Sequence, residues 1–534
     1  MNSSMDHDLA QGSPSDTIES DVCVVGAGPV GLAVARALAD KHRSVTFLER
    51  GSARAMEQTA GRQIEFDRRS YRGATAGRAF GVGGTSALWG GQLLPVRDVD
   101  LQERSQITAP AWPVSYSELA PHFAALEAWL QVMPGTFGLS FAAIQKHPLA
   151  DLHWAEWAPR FSKWIPFGRR NIYGAFGAVL AASKSVQGYL NARVHEWELQ
   201  SVAGRQRVIG VTARSVTGHA VRVRARAYVI CAGALESARC VLEMNEAAGG
   251  LSSGVNELTG RFLHDHLSLR LARVTIVDHA GFQRLFAPIF VGKTMRSLRM
   301  ELSNELLSRE GLPALYAHFV AEAAVDSGFA LLRDIFRGIQ HGRLGAAFAG
   351  AWRIPSSLPG VMEILFERFA RQRLPFPRDS KVFLHCDFEQ APLRENRIYL
   401  GEAGTDGQRS LHIDWDLGRN AVRVATAVQS TFARFWAANG LERVARLELL
   451  DFTPDAAIAP TNLYDIYHPA GTTRMSLDSN TGVVDSNLLV HGTSNAFVAG
   501  SAVFPSLGAA NPTFTAMALG LRLADFIDRE LTAP

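Results

Sequence analysis

The chain has 534 residues, of which 47% are hydrophobic and 20% are charged, and this composition predicts a globular enzyme of two packed domains. The formal net charge of +3 excludes a protein that binds nucleic acid mainly through its phosphates. The four cysteines show no CxxC spacing, so we expect neither a disulfide framework nor a zinc site, and a reducing, cytoplasmic location.

Neither the first residues nor any later stretch predicts a targeting or membrane-spanning segment. Residues 1–17 are polar and lack both a basic and an apolar region, so we expect no secretory signal. No uncharged apolar run approaches the roughly 20 residues that a transmembrane helix requires. A soluble, or at most peripheral, protein is therefore expected.

The first predicted elements form a strand–helix–strand unit. The β-branched run Asp21–Val25 precedes a glycine-rich turn, an alanine-rich stretch and a second strand over Ser44–Leu48. In the turn, Gly26 permits a tight bend, Gly28 lets a pyrophosphate approach the backbone, and Gly31 lets helix and strand pack closely. The helix N-terminus then faces the phosphates. The pattern predicts a dinucleotide site, with a plain cluster of turn glycines as the alternative.

The end of the second strand supports the dinucleotide interpretation. Glu49 stands there, where a carboxylate can accept hydrogen bonds from both hydroxyls of a ribose, and Arg50 follows it. This favours an adenosine without a 2′-phosphate. The unit does not distinguish one dinucleotide from another.

The same sheet is predicted to continue much later in the chain. Residues 80–92 are rich in glycine, contain Trp89 and predict a loop that covers the cofactor. Strand-like runs return at 190–199, 208–213 and 221–231, and the last leads into Ala232-Gly233 and a predicted helix over 235–244. The nucleotide-binding domain is therefore predicted to be discontinuous.

A different sheet is predicted around Lys381–Phe388, where apolar side chains alternate with others. Alternation of this kind predicts a half-covered antiparallel sheet, with Leu411–Trp415 as a neighbouring strand. His385 and Asp387 would face the cleft and are candidates for substrate contact, with ordinary hydrogen-bonded residues as the alternative.

Residues 328–377 mix apolar side chains with seven arginines and predict helical hairpins with basic faces. Two interpretations stay open. The insertion packs against its own domain or a second subunit, which would make an oligomer, or it forms a lid or a contact with a membrane surface.

Short motifs are spread along the chain in one order. They are Gly83-Gly84-Thr85-Ser86-Ala87-Leu88-Trp89, Cys231-Ala232-Gly233, Gly260-Arg261-Phe262-Leu263-His264-Asp265-His266, Tyr467-His468-Pro469, Gly500-Ser501 and Asn511-Pro512-Thr513. Together with the first glycine motif, they resemble the glucose-methanol-choline (GMC) oxidoreductases, nearer the bacterial, pyranose-oxidase-like members that oxidise sugars and alcohols. Residues 112–189 and 270–382 give no match.

The resemblance implies an α/β fold, with a discontinuous Rossmann-like FAD-binding domain and an inserted α+β substrate domain built on an antiparallel sheet. We expect the FAD-binding domain in residues 18–110, 190–269 and 461–534. The substrate domain is expected in residues 111–189 and 270–460.

The resemblance also implies that His468 is the catalytic base and Asn511 its partner. An alcohol gives up hydride as its hydroxyl proton departs, so a neutral imidazole near its normal pKa must reach that oxygen while the carbon faces flavin N5. Both residues precede proline, which favours extended backbone at bends that open into a cleft. Pro512 then begins a predicted helix whose positive end faces the flavin. A structural histidine and a simple helix cap are the alternatives.

The remaining implied roles concern the cofactor. The residues expected to bind FAD are Gly26, Gly28, Gly31, Glu49, Arg50, Gly83, Gly84, Thr85, Ser86, Leu88, Trp89, Val194, Ala232, Gly233, Gly500, Ser501, Asn511, Pro512 and Thr513. Leu88 stands where some sugar-oxidising members carry a histidine bonded to flavin, so FAD is expected to be noncovalent. His264 and His266 beside Asp265 look superficially like a metal cluster, but the family context assigns them to packing, and no metal is expected.

The expected activity is the oxidation of a small-molecule alcohol, preferably a sugar, polyol or glycoside, to a carbonyl by hydride transfer to FAD. Oxygen, a quinone or an electron carrier would reoxidise the flavin, and the sequence does not choose among them. Three alternatives are a dehydrogenase of a hydrophobic alcohol at a membrane surface, a non-catalytic FAD-binding partner subunit, and an aromatic hydroxylase, which shares the first strand–helix–strand unit.

Overall fold

The computed structural model describes residues 6–14, 16–57, 64–140, 147–323, 327–340, 354–404, 409–418, 420–452 and 461–533. Two large sheets, one of eight and one of nine strands, organise the described residues, and each has its own apolar core. A three-stranded sheet and a two-stranded ribbon, Met56–Glu57 with Ala79–Phe80, accompany them.

The first sheet is parallel at its centre. Ile18–Val25 lies between Val45–Leu48 and Ala220–Ile230, and Ala220–Ile230 also pairs in parallel with Ala496–Val498. Its remaining strands are Asp6–Asp8, Val186–Leu190, Arg193–Val202 and Arg205–Arg214. The ends of the two central strands, residues 22–25 and 227–230, are buried on both faces, which is why their sequences there are continuous apolar runs rather than alternating ones.

Helices from distant parts of the chain pack against this sheet. Pro29–Ala39 contacts both Ile172–Ala182 and Pro512–Thr532. Gly520 allows the close approach of the last helix, because a Cβ there would lie 3.0 Å from Val30. The predicted discontinuous Rossmann-like domain is confirmed.

The second sheet is antiparallel, as predicted for the substrate domain. Its strands are Gln92–Leu93, Trp157–Trp164, His266–Ile276, Ile289–Val291, Thr294–Leu302, Leu315–Glu322, Lys381–Glu389, Ala445–Leu449 and Leu463–Asp465. The helix Ala421–Ala438 packs against one face, where Phe432 and Trp436 meet Phe319. The other described helices are Arg72–Thr75, Tyr116–Leu130, Gly233–Ala247, Ser253–Leu258, His279–Phe286, Asn304–Glu310, Gly328–Gln340 and Ile354–Ala370.

Two predictions about this second sheet are wrong. The strand Lys381–Glu389 is buried on both faces after its first residue, whereas its alternation predicted a half-covered strand. It lies between His266–Ile276 and Leu315–Glu322 and is therefore central. The predicted neighbouring strand at 411–415 belongs instead to the three-stranded sheet, because Arg409–Asp414 pairs with its hairpin partner Arg397–Ala403 and with Ile64–Phe66.

Other local predictions need smaller corrections. The predicted strand at 190–199 is two strands, because Asn191 has a left-handed backbone with φ of 52° and breaks the run. The glycine-rich stretch 80–92 contains the 3₁₀ turn Gly84–Ala87. In the stretch 328–377, the two helices Gly328–Gln340 and Ile354–Ala370 pack against each other, and residues 341–353 lie outside the described ranges.

The two cores divide the chain differently from the predicted segments. The helices Tyr116–Leu130 and Ile172–Ala182 were placed by sequence in the substrate segment 111–189, yet Phe123 and Phe176 belong to the core of the first sheet. In contrast, Trp157–Trp164 joins the second sheet. Within the described ranges, no helix combines the length and the apolar character needed to cross a bilayer.

Candidate active site

A cleft of about 1370 Å³, including its open mouth, lies between the glycine turn, the glycine-rich loop and the last helix. Most of the residues expected at the cofactor line it. These residues are Gly26, Gly28, Glu49, Arg50, Gly84, Thr85, Val194, Ala232, Gly233, His468, Gly500, Ser501, Pro512 and Thr513. The structure thus brings together positions that are far apart in the sequence.

Six further positions expected at the cofactor do not line this cleft: Gly31, Gly83, Ser86, Leu88, Trp89 and Asn511. Four of them, Gly83, Ser86, Leu88 and Trp89, belong to the glycine-rich loop that borders the cleft. Ser86 donates to the Gly83 carbonyl at 2.5 Å, and Trp89 Nε1 donates to a backbone carbonyl, that of Arg170, at 2.5 Å. Leu88 ends the 3₁₀ turn. These contacts hold the shape of the glycine-rich loop.

The glycine turn has the geometry that a pyrophosphate requires. Gly26 has φ of 100°, and a Cβ on Gly31 would lie 2.0 Å from the Gly26 carbonyl oxygen, so both positions need glycine. A Cβ on Gly28 would meet nothing within 4 Å, so space is open beside this backbone. No side chain caps the first turn of Pro29–Ala39. Its N–H groups are therefore available to an anion.

Glu49 is buried and joins three backbone segments. Its carboxylate accepts hydrogen bonds from the N–H groups of Ala27 at 2.8 Å, Gly51 at 2.8 Å and Gly81 at 2.9 Å. Burial raises the pKa of Glu49, while these three bonds lower it. A carboxylate has roughly four acceptor positions, so a ribose hydroxyl would share Glu49 with the backbone. Sequence reasoning missed this structural role.

A cluster of charges lines the cleft next to Arg50. Glu236 pairs with Arg50 at 3.4 Å, with Arg78 at 2.7 Å and with Arg239 at 3.0 Å. Burial raises the pKa of Glu236, but the three guanidinium groups outweigh burial and hold that pKa well below its usual range. Sequence reasoning missed the partners of Arg50, although Glu236 and Arg239 follow the Ala232-Gly233 motif closely.

His468 lines this cleft, and Asn511 contacts it from a position outside the lining. Asn511 Nδ2 lies 3.4 Å from His468 Nε2. Asn511 has extended backbone, with φ of −57° and ψ of 128°, and precedes the helix Pro512–Thr532 without capping it through its side chain. Its Oδ1 is buried and has no hydrogen-bond partner among the described residues, so it is an acceptor free for a ligand.

A second histidine fixes the hydrogen positions on His468. His266 Nε2 lies 2.7 Å from the Gly508 carbonyl oxygen, and His266 Nδ1 lies 3.0 Å from His468 Nδ1. A carbonyl accepts only, so His266 Nε2 must carry a hydrogen, and in the neutral ring Nδ1 is then the acceptor. His468 Nδ1 consequently donates to it. The Nε2 atom of His468 is therefore left without a hydrogen, and its lone pair accepts the long hydrogen bond of 3.4 Å from Asn511 Nδ2.

This role of His266 corrects its assignment to packing. His264 does pack, since its Nδ1 lies 2.7 Å from the Phe262 carbonyl oxygen and its backbone pairs with Ala470. His266 instead begins a strand whose antiparallel partner, Leu463–Asp465, leads directly to His468. Among the described residues, no three His, Cys, Asp or Glu side chains are arranged to hold a metal ion.

Burial keeps His468 neutral. Burial first and the neighbouring His266 second lower the pKa of His468 to about 3, against the opposing effect of Asp387. The expectation of a pKa near the ordinary value is therefore wrong for this environment. Burial also lowers the pKa of His266. Both rings are neutral in the hydrogen-bonded chain.

Asp265 holds the backbone at His468. Its two carboxylate oxygens accept from the His468 N–H at 2.8 and 3.0 Å, and the Tyr71 hydroxyl donates to it. Burial and the neighbouring Asp465 raise the pKa of Asp265 well above its usual range. Tyr467 is left-handed, with φ of 67°, so Asp265 stabilises a strained bend beside the imidazole.

His385 and Asp387 lie in the second sheet, outside the cleft lining. Asp387 Oδ2 pairs with His318 Nε2 at 3.1 Å, and Ser268 Oγ lies 3.2 Å from His385 Nδ1. Burial lowers the pKa of His385 to about 3. Ser268 is two positions from His266 on one strand, so this polar network continues from the histidine pair.

Comparisons with known proteins agree with this geometry. Residues 392–520 match the family model described as GMC oxidoreductase. The chain is 23% identical over 590 aligned positions, with 96% of each chain covered, to 2-methyl-1,2-propanediol dehydrogenase of Mycolicibacterium austroafricanum.

Solved structures share the fold over nearly their whole length. A formate oxidase matches with a TM-score of 0.57 at 15% identity, covering 97% of this chain and 99% of the other. Pyridoxine 4-oxidase from Mesorbium loti matches with a TM-score of 0.55 at 18% identity, covering 95% and 98%. A fungal aryl-alcohol oxidase matches with a TM-score of 0.53 at 17% identity, covering 96% and 99%. Residues 392–520 thus carry the GMC oxidoreductase C-terminal domain, and the fold shared with GMC oxidases places that domain beside an open glycine turn, with His468 and Asn511 paired within it.

Proposed function

We propose that this protein oxidises the CH–OH group of a small-molecule alcohol to a carbonyl, with His468 as the base and Asn511 as its partner. The observation that supports this most is the unprotonated Nε2 atom of His468, an acceptor at the nucleotide cleft that Asn511 Nδ2 contacts at 3.4 Å. FAD, when bound, supplies the acceptor for the hydride.

His468 and Asn511 have different proposed roles at the substrate hydroxyl. His468 Nε2 accepts the hydroxyl proton, while the amide of Asn511 orients the oxygen through a hydrogen bond. As that proton leaves, a hydride leaves the adjoining carbon and a carbonyl remains. His266 accepts the Nδ1 hydrogen of His468 throughout, so the ring keeps its Nε2 acceptor directed towards the hydroxyl.

Two features of the chain suit a noncovalent flavin. Leu88 offers no nucleophile for a covalent bond to the cofactor. Pro512 and Thr513 line the cleft at the start of a 21-residue helix, so the positive end of its dipole favours negative charge on the reduced cofactor. FAD held here is therefore proposed to be noncovalent and stabilised in its reduced state.

The proposed substrates are sugars, polyols or glycosides. The pairing of His with Asn resembles sugar-oxidising members of the family, and one relative is by its name a dehydrogenase of a diol. Oxygen, a quinone or an electron carrier completes the turnover, and reoxidation of the reduced enzyme with each acceptor distinguishes these three.

The decisive experiment is anaerobic mixing of the purified holoenzyme with a panel of alcohols and sugars, with the loss of flavin absorbance as the signal. His468→Ala should retain FAD and lose about 10²- to 10⁴-fold in the rate of flavin reduction. His195→Ala, at an exposed strand position, is the matched control and should keep the wild-type rate. Equal rates in wild type and His468→Ala would refute the base. Failure of every alcohol would favour a non-catalytic FAD-binding subunit.

A further inference from the structure

Exposed apolar side chains concentrate on one structural unit, the helix pair Gly328–Gln340 and Ile354–Ala370. Of the twelve large hydrophobic residues that are exposed in the described ranges, six lie there: Phe336, Leu358, Met362, Leu365, Phe366 and Phe369. We name these six residues the hairpin surface. Scattered single apolar residues are ordinary on a protein surface, whereas a cluster of this kind marks an interaction site.

The spacing makes five of the six a continuous stripe. Leu358, Met362, Leu365 and Phe369 follow one another at intervals of three or four residues, and Phe366 stands four residues after Met362, so all five lie on one face of the second helix. Met362 and Phe369 expose 57% and 70% of their surfaces. The apolar face of an amphipathic helix normally packs against a core, but here it faces outward.

The hairpin is already attached to the body by other residues. Ala330 and Leu331 are buried, Phe336 meets the Phe167 ring at 5.1 Å, and the Arg368 guanidinium lies 3.7 Å from the Phe290 ring centroid. Residues 289 and 373 also form a backbone bridge. These contacts use other side chains, so no described residue covers the stripe, and it is available to an external partner.

The charges around the stripe select the partner. Arg333, Arg371 and Arg378 are more than 40% exposed, and each has a neighbouring carboxylate, from Asp334, Glu367 and Glu363 respectively. Arg368 has aromatic neighbours, and Arg373 lies close by on the connecting segment. With Asp379, which follows Arg378, five arginines stand against four acids and leave an excess of positive charge beside the apolar stripe.

We propose that the hairpin surface inserts into the headgroup region of a bilayer that contains anionic phospholipids. An interfacial helix buries its apolar face among the acyl chains while its cations contact the lipid phosphates. A second copy of the chain fits less well, because its own copy of this surface carries charge of the same sign. This surface is separate from the cleft and goes beyond the proposed oxidation of an alcohol.

The hairpin also has a structural connection to the cofactor loop. Phe336 packs on Phe167, and the nearby Arg170 carbonyl accepts the hydrogen bond of Trp89. Membrane docking would therefore place the glycine-rich loop close to the lipid surface. Alcohols dissolved in that surface would reach the enzyme without crossing bulk water.

The test is flotation of the full-length holoenzyme with two kinds of vesicle, phosphatidylcholine alone and phosphatidylcholine mixed with phosphatidylglycerol. Wild-type protein should float with the mixed vesicles and bind at least about tenfold more weakly to phosphatidylcholine alone. The double variant Phe366→Glu, Phe369→Glu should lose at least about tenfold in binding, with its FAD content and its rate of flavin reduction by a water-soluble alcohol unchanged. Val216→Glu, at an exposed valine elsewhere, should bind like wild type.

Three results would overturn the proposal. Wild-type protein could fail to float with either vesicle, or the double variant could float as well as wild type. Light scattering could also show a wild-type dimer that the double variant splits, without any vesicle binding, which would assign the stripe to a second copy. Equal binding to both vesicles would refute the role of the arginines.

Discussion

The histidine pair allows a sharp prediction about His266. His266→Leu removes the acceptor for the His468 Nδ1 hydrogen and the donor to the Gly508 carbonyl. No water-exposed partner replaces them, because His266 is 2% exposed. His468 then loses the contact that places the hydrogen on Nδ1 and leaves Nε2 free.

The size of the effect follows from the cost of one unsatisfied buried group. That cost is about 1–3 kcal/mol, and about 1.4 kcal/mol corresponds to a tenfold change in rate. We therefore expect His266→Leu to slow flavin reduction by about 5- to 150-fold. Unfolding free energy should fall by a similar 1–3 kcal/mol through the Gly508 carbonyl, which loses its donor.

Stopped-flow measurement of anaerobic flavin reduction checks the prediction, with FAD content and thermal stability measured on the same samples. His266→Gln is the matched control, because an amide retains one donor and one acceptor and should keep most of the rate. A Leu variant that is fully loaded with FAD and reduces it at the wild-type rate would refute the reasoning. A Gln variant as slow as the Leu variant would show that ring shape, not hydrogen bonding, matters.

Three further predictions concern charge. Burial lowers the pKa of His468 to about 3, so the stopped-flow rate of flavin reduction should stay level between about pH 5 and about 8. A decline of that rate with an apparent pKa near 6.5 would contradict this. Burial also lowers the pKa of His264 to about 4. Since the unfolded state then binds more protons, urea unfolding should show stability falling as pH drops from about 6.5 towards 4, and no change over that range would contradict it. Glu49→Ala leaves three backbone N–H groups without an acceptor. The variant should therefore lose FAD on gel filtration and have a lower melting temperature. Asp40→Ala, which removes an exposed carboxylate, should show neither change.

The parts of the site that sequence could predict depend on local rules. The glycine turn needs particular backbone angles within six residues, and the bend before Pro512 restricts Asn511 directly. Such constraints depend only on residues that are consecutive in the sequence. The position of His468 came from resemblance to a family, and the cleft places it beside Asn511.

The parts that sequence could not predict depend on contacts between distant segments. His266 belongs to a motif that was noticed, yet its contact with His468 requires the antiparallel pairing of two strands about 200 positions apart. The ion pairs of Glu236 with Arg78 and Arg50 likewise require distant segments to pack together. Alternation in Lys381–Glu389 shows that its two faces differ, but it does not reveal what covers each face.

The strand pairing at the start of the second sheet has a consequence for how this enzyme can vary. Leu267 pairs with Asp465, and His264 bridges to Ala470, so the chain leaves the nucleotide-binding body and rejoins it at adjacent points. The intervening two hundred or so residues also pair with strands outside them, since Trp157–Trp164 joins the second sheet and Ile64–Phe66 joins the three-stranded sheet. His266 and His468 lie where this stretch leaves and returns. Under the proposed function, an exchange of the stretch that keeps those two pairings would alter which alcohols are admitted while leaving the proton acceptor in place.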